Sequence, residues 1–171
     1  VAAVCVEASS AGAGVCQIAN DNGGGQLVIS GAKAPVEAAA EAAKDKGAKR
    51  ALMLPVSAPF HSALMEPAAD AMREALAQVS VNVPKVPIVT NVNVTPTTDP
   101  AMIVDDLVNQ VTGRVRWRDT VEWFGANGVE TLAEIGSGKV LTGLARRINR
   151  DLSGVAINTP ADIDAFLEAQ A

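Results

Sequence analysis

Apolar and polar positions follow two periods along the first third of the chain, one typical of helices and one typical of strands. A short glycine-rich stretch, Asn20 to Gly25, has the composition of a tight connection between two strands. The order of helix, strand, strand, helix and strand is most of a split βαβ sandwich. One strand is missing at its beginning, and we expect that strand upstream of Val1. The five predicted elements are residues 1–8, 15–18, 26–30, 36–46 and 50–56.

Beyond Pro55 the pattern changes to longer helices that alternate with short apolar strands. The first of these helices carries an apolar stripe that should face a core. Strands that alternate with helices are typical of a mainly parallel sheet with covered faces, so we expect an α/β domain here. The predicted helices are residues 64–79, 101–111, 118–126, 139–149 and 161–169, and the predicted strands are residues 88–92, 131–135 and 155–157.

Composition narrows the class of protein further. The 171 residues are 49% apolar but only 3% aromatic, so a closely packed interior must be built from aliphatic side chains. The net charge of -5, from 14 basic and 19 acidic residues, argues against nucleic-acid binding. A basic cluster of Arg146, Arg147 and Arg150, with Lys139 nearby, is either a surface for an acidic partner or a solvated helix face.

Targeting and metal signals are weak in this sequence. No uncharged apolar run approaches the ~20 residues of a membrane helix, and Glu7 interrupts any signal-peptide pattern, so we expect a cytoplasmic protein and no membrane partner. The two cysteines, Cys5 and Cys16, form no Cys-x-x-Cys pair, and the chain has one histidine. No metal site and no bound cofactor are therefore predicted.

The single histidine, His61, has an informative position. It follows a predicted strand and two prolines, Pro55 and Pro59, and it directly precedes a long predicted helix. A proline-stiffened connection is the kind of place where functional groups gather. An imidazole there can exchange protons near neutral pH. From spacing alone, His61 is either a proton-transfer group or a side chain that caps the helix.

Three stretches resemble the malonyl-CoA:acyl-carrier-protein transacylases, in register from the hairpin to the C-terminus. They are NDNGGGQLVISG at 20–31, GAKRAL at 47–52 followed by PVS at 55–57, and EIGSGKVLTGL at 134–144. Ser137 stands where members of that family often have proline, and a serine between two glycines can make the same turn. The resemblance implies a two-part fold. Residues 1–57 would be a small ferredoxin-like subdomain without its first strand, and residues 58–171 the C-terminal portion of a large α/β-hydrolase-like domain.

The resemblance also implies a chemistry. In that family a serine within Gly-His-Ser-Leu-Gly attacks the thioester of malonyl-CoA, a histidine activates the serine, and the malonyl group passes to the phosphopantetheine thiol of acyl carrier protein. His61 matches the catalytic histidine, and Gln110 matches a residue whose backbone carbonyl orients it. Asn20 and Asn22 resemble positions at the mouth of the substrate cleft, although asparagines are also typical of tight turns.

One departure limits what this chain can do alone. It contains no Gly-x-Ser-x-Gly, so no serine is presented to His61 on a nucleophile elbow. We therefore expect the isolated chain to be inactive, to expose an apolar face, and to associate or pair with a complementary N-terminal fragment. Two alternatives remain: a noncatalytic module that binds acyl carrier protein or CoA, and an acyltransferase with another acyl preference.

Overall fold

The computed structural model of the chain describes residues 1–12 and 14–169. It is a mixed α/β structure in which seven α-helices and six short strands lie in the described part. The helices are α1 (Ala2–Gly12), α2 (Lys33–Asp45), α3 (Glu66–Leu76), α4 (Pro100–Thr112), α5 (Trp117–Ala126), α6 (Val140–Ile148) and α7 (Pro160–Glu168). The strands are β1 (Cys16–Asp21), β2 (Leu27–Gly31), β3 (Ile88–Val89), β4 (Pro96–Thr97), β5 (Thr131–Ile135) and β6 (Ser153–Ile157).

The chain divides into two compact units. The first contains residues 1–21 and 27–116, and the second contains residues 22–26 and the chain from Trp117 onward. The first unit therefore continues well past residue 57, where the sequence suggested a boundary. That boundary between two subdomains stays a prediction. Within residues 1–12 and 14–169, no helix has both the length and the apolar character needed to cross a membrane.

The core of the first unit lies between a hairpin and two helices. β1 and β2 pair antiparallel, with Cys16 opposite Gly31 and Ile18 opposite Ile29, and a bulge follows Ile18. Small side chains allow α1 and α2 to approach this hairpin closely, and removing each valine side chain from water contributes about 1.5–3 kcal/mol. The buried cluster is formed by Val4, Cys5, Ala8, Cys16, Val36 and Ala39.

The strand predicted at residues 50–56 is absent, and this prediction was wrong. The segment contains only a local turn, in which the amide of Val56 donates to the carbonyl of Leu54 at 2.9 Å. Its large apolar side chains, Leu52, Met53, Leu54 and Val56, are each more than half exposed. A strand exists only when a neighbour accepts and donates its backbone hydrogen bonds, and none of the described strands pairs with this segment.

The predicted mainly parallel sheet is also absent in the described chain. The strands form three separate two-stranded pairs, of which only β5 and β6 run parallel. Strand β3 ends at Val89 because Thr90 and Asn93 turn towards the buried carboxylate of Asp106 on α4. Thr90 Oγ1 donates to Asp106 Oδ2 at 2.7 Å, and Asn93 Nδ2 donates to Asp106 Oδ1 at 2.6 Å. These bonds hold residues 90–93 as a loop against α4.

The helix predicted over residues 64–79 is shorter, and its apolar stripe faces solvent. A 3₁₀ turn occupies Ala63–Met65, and α3 then ends at Leu76. Ala69 is the buried residue of α3, whereas Leu64 and Met72 are exposed. The periodicity identified the helix correctly but not the surface that it covers.

The second unit is built around the β5–α6–β6 segment. Val121, Ala145 and Leu152 form its buried cluster, with Trp117 and Leu132 packed against it. Glu134, on β5, caps the start of α6 by accepting from the amides of Leu141 at 3.0 Å and Thr142 at 2.8 Å. Burial alone would raise the pKa of Glu134, but these amide donors outweigh it and lower that pKa.

Candidate active site

His61 lies in a tight turn between the extended segment and the 3₁₀ turn at Ala63. Its backbone has φ of +57°, a left-handed conformation that costs a residue with a side chain about 1–2 kcal/mol. The next residue, Ser62, is fully buried, and its hydroxyl donates to the carbonyl of Pro59 at 2.7 Å. The turn therefore holds the histidine in a backbone conformation that is unfavourable for this residue in isolation.

The imidazole of His61 is oriented by a backbone carbonyl. Its Nδ1 atom lies 2.8 Å from the carbonyl oxygen of Gln110, 49 residues further along the chain. A carbonyl oxygen can only accept, so Nδ1 must carry the proton of the neutral ring. The lone pair is then on Nε2, which has no hydrogen-bond partner among residues 1–12 and 14–169. This is the tautomer required of a general base that works through Nε2.

The position of Gln110 explains why its carbonyl is free to accept. It is one of the last four residues of α4, whose carbonyls have no amide donor further along the same helix. The side chain of Gln110 is held separately, because its Oε1 accepts from Asn91 Nδ2 at 3.1 Å.

A second glutamine reaches the same turn, and sequence reasoning missed it. Gln17, on β1, contacts the backbone of His61 and of Ala63 and the end of α4 through its side-chain amide. The available signal was a polar residue placed between the apolar residues Cys16 and Ile18 at the start of β1. That signal does not name a partner, because the contacts bring together segments more than forty residues apart.

The two asparagines predicted at the substrate cleft lie in and after β1. Asn20 is half-buried, pairs with Val28 across the hairpin and forms a parallel bridge with Val115. Asn22 belongs to the second compact unit, where its amide donates to the carbonyl of Gln26 at 3.0 Å. Neither side-chain amide has a hydrogen-bond partner within the described residues. Their role in binding substrate stays a prediction.

The thiols of the chain are poor candidates for a nucleophile. Both Cys5 and Cys16 are buried in the first unit. Burial, together with the neighbouring Cys5, raises the pKa of the Cys16 thiol to about 12. A thiol with that pKa stays protonated at neutral pH, and the thiolate is the reactive form. Acyl transfer to Cys16 is therefore disfavoured.

Comparisons with known proteins agree on one class, although no family model matches the chain. A curated relative from Salmonella typhimurium, a malonyl CoA-acyl carrier protein transacylase, is 49% identical over 167 residues, which cover 98% of this chain and 53% of the relative. A relative of the same name from Bacillus subtilis is 43% identical over 152 residues, covering 89% of this chain and 48% of the relative.

Solved structures give the same result. The acyl-carrier-protein S-malonyltransferase of Bartonella henselae superposes with a TM-score of 0.92 at 60% identity, covering 98% of this chain and 52% of that one. A malonyl-transacylase in complex with its type II polyketide synthase acyl-carrier protein has a TM-score of 0.92 at 42% identity, covering 98% of this chain and 54% of the matched one. These proteins are acyltransferases of mixed α/β fold.

More narrowly, the chain is a homologue of the malonyl CoA-acyl carrier protein transacylases, matching a C-terminal portion of them. It spans about half the length of the curated relatives it matches. The family resemblance drawn from the sequence is thereby confirmed. The match covers only this part of the relatives.

Proposed function

We propose that this chain supplies the general base for transfer of a malonyl group from malonyl-CoA to the phosphopantetheine thiol of acyl carrier protein. The observation that carries the proposal is the bond from His61 Nδ1–H to the carbonyl of Gln110, which leaves Nε2 as the proton acceptor. The nucleophilic serine would be on polypeptide outside these 171 residues, because the sequence contains no Gly-x-Ser-x-Gly.

The first half-reaction would form an ester on the serine. The serine Oγ attacks the thioester carbon of malonyl-CoA while its proton passes to Nε2 of His61. The carbon–sulfur bond then breaks, and the leaving thiolate takes the proton from Nε2 to give free CoA. During this exchange the imidazole is positively charged, and the Gln110 carbonyl at the negative end of α4 stabilises that charge.

The second half-reaction would reverse these steps with a new thiol. The phosphopantetheine thiol of acyl carrier protein gives its proton to Nε2 and attacks the ester carbon, and the serine oxygen leaves and takes that proton. The proposed reaction steps use no metal and no bound cofactor. Malonyl-CoA is a substrate, and phosphopantetheine belongs to the partner protein.

The proposed function also implies a ferredoxin-like subdomain and an α/β-hydrolase-like domain. The order α1, β1, β2, α2 and an extended apolar segment is what a ferredoxin-like subdomain would contribute if one strand came from elsewhere. The parallel pair β5 and β6, linked by α6, fits one edge of an α/β-hydrolase-like sheet. In a complete enzyme, Asn20 and Asn22 would contribute amides to the cleft that receives the CoA or pantetheine arm.

The test is malonyl transfer by a complete chimera. The chain is placed behind the part of the Salmonella typhimurium relative that precedes the matched residues, and transfer to acyl carrier protein is followed by mass spectrometry. We expect transfer, and we expect His61→Ala to lower kcat by about 10²- to 10⁴-fold because general-base catalysis is lost.

Gln110→Ala is the matched control in the same assay. It removes the side-chain bond to Asn91 but keeps the carbonyl that accepts from the imidazole, so most of the activity should remain. Normal transfer by the His61→Ala chimera would contradict the role of His61. An inactive parent chimera that is folded and acylated on its serine would point to a defect in the second half-reaction instead.

A further inference from the structure

The turn that holds His61 requires more support than its own residues provide. A non-glycine residue at φ +57° is unfavourable, and such conformations persist only where the surroundings impose them. The Ser62 hydroxyl fixes one side of the turn through the Pro59 carbonyl. The carbonyl of His61 and the amide of Ala63 both bond to a side chain from outside the turn.

Gln17 meets both of these backbone groups with one side chain. Its Nε2 donates to the carbonyl of His61 at 3.4 Å, and its Oε1 accepts from the amide of Ala63 at 3.1 Å. An amide is suited to this position because it has a donor and an acceptor side by side. A carboxylate or a hydrocarbon of the same size could not satisfy both groups.

The same amide also reaches the helix that supplies the orienting carbonyl. Gln17 Nε2 donates to the carbonyl of Thr112 at 3.3 Å, and Thr112 is the last residue of α4, two residues after Gln110. One side chain therefore ties the histidine segment to the acceptor segment. Their separation decides whether Nδ1–H can reach the Gln110 carbonyl, which it does at 2.8 Å.

We propose that Gln17 is a positioning residue that fixes the tautomer and orientation of His61 by clamping the histidine turn to the end of α4. The proposal rests on the proposed function, because it concerns the same imidazole. In this role Gln17 does not contact the reacting atoms. It acts through the backbone of residues 61 and 63 and through Thr112, and β1 provides the rigid support.

The chain contains a single histidine, so its imidazole nitrogens can be observed without ambiguity. Long-range ¹H–¹⁵N correlation spectra of histidine-labelled chain, recorded at a pH where the ring is neutral, distinguish the two tautomers. The unsubstituted chain should show mainly the Nδ1–H form. Gln17→Met, which keeps the size but removes the polar groups, should lower the ratio of Nδ1–H to Nε2–H by about tenfold.

Gln17→Glu provides a second variant that separates the two ends of the amide. It keeps an acceptor for the amide of Ala63 but replaces the donor that reaches the carbonyls of His61 and Thr112. We therefore expect a loss of the Nδ1–H tautomer like that of Gln17→Met. Gln78→Met is the control, since Gln78 is exposed in the same compact unit and should leave the ratio unchanged.

The two proposals fail in different ways. If both folded Gln17 variants keep the tautomer ratio of the unsubstituted chain, the positioning role is wrong, whatever the chimera does. If the tautomer responds as expected but an intact chimera transfers no malonyl group, the proposed function is wrong and the clamp remains. In an active chimera, Gln17→Met should lower kcat with little change in KM, since substrate contacts are not altered.

Discussion

Gly31 offers a sharp test of how the hairpin that carries Gln17 is held together. Its φ is +153°, and a Cβ built there would overlap the carbonyl oxygen of Val15 and lie 2.6 Å from the carbonyl carbon of that residue. The oxygen is itself bonded to the amide of Ala32 at 2.8 Å. Because both neighbours are main chain, a side-chain rotation cannot relieve the overlap, so Gly31→Ala must open that bond or shift the pairing of β1 with β2.

Gly47 is the matched control, because it also has positive φ, +92°, but nothing lies within 4 Å of an added Cβ. Gly47→Ala should cost only the conformational penalty, about 1–2 kcal/mol, less ~0.4–1 kcal/mol gained from a stiffer unfolded chain. Gly31→Ala adds the lost hydrogen bond and the distorted hairpin, about 2 kcal/mol or more. Its total should therefore reach about 3 kcal/mol.

Urea unfolding followed by circular dichroism measures both losses in the free energy of unfolding. The slope with urea should stay constant, since the substitutions change stability and not the extent of unfolding. If Gly31→Ala and Gly47→Ala destabilised the chain equally, the close approach of residue 31 to Val15 would be refuted. The register of the hairpin would then not depend on that close approach.

Two further predictions concern pH. The pKa of Cys16 rises from 9.0 to about 12 on folding, so the unfolded chain loses this proton first and the free energy of unfolding should fall between pH 9 and 12. Urea titrations of Cys16→Ala at several pH values should lack that fall. The same fall in the variant would contradict the assignment to Cys16. The pKa of Glu134 is lowered from 4.5, so its stabilisation is complete above pH 4.5 and lost as pH falls through the lower folded value. Glu134→Gln should remove this acid-side loss in thermal melts, and an unchanged acid profile would refute the cap.

The helices were the most predictable part of the fold, because their signals are local. Proline at the start and periodic apolar residues place α4 within one residue at each end, and α5 begins one residue earlier than predicted. The segment 50–56 failed because its apolar, strand-like composition says nothing about whether a hydrogen-bonding neighbour is present. The prediction that the apolar stripe of α3 is buried failed for the same reason, since an amphipathic pattern predicts a covered face but not the element that covers it.

The candidate site divides along similar lines. The single histidine after two prolines could be selected from the sequence, and the resemblance paired it with Gln110. The clamp by Gln17 could not be predicted, because its three partners come from two distant segments and use main-chain atoms that leave no mark in the sequence. The loop that begins at Thr90 was likewise mistaken for strand, since the buried carboxylate of Asp106 that reshapes it lies on a later helix.

The left-handed backbone of His61 has a consequence for how this position can evolve. Glycine, and to a lesser degree asparagine, adopt that conformation with less strain than histidine does. In a gene copy no longer selected for its chemistry, substitution of His61 by glycine or asparagine would therefore increase the stability of the folded state. Under the proposed function, histidine at this position costs about 1–2 kcal/mol of conformational free energy in exchange for a proton-transfer group.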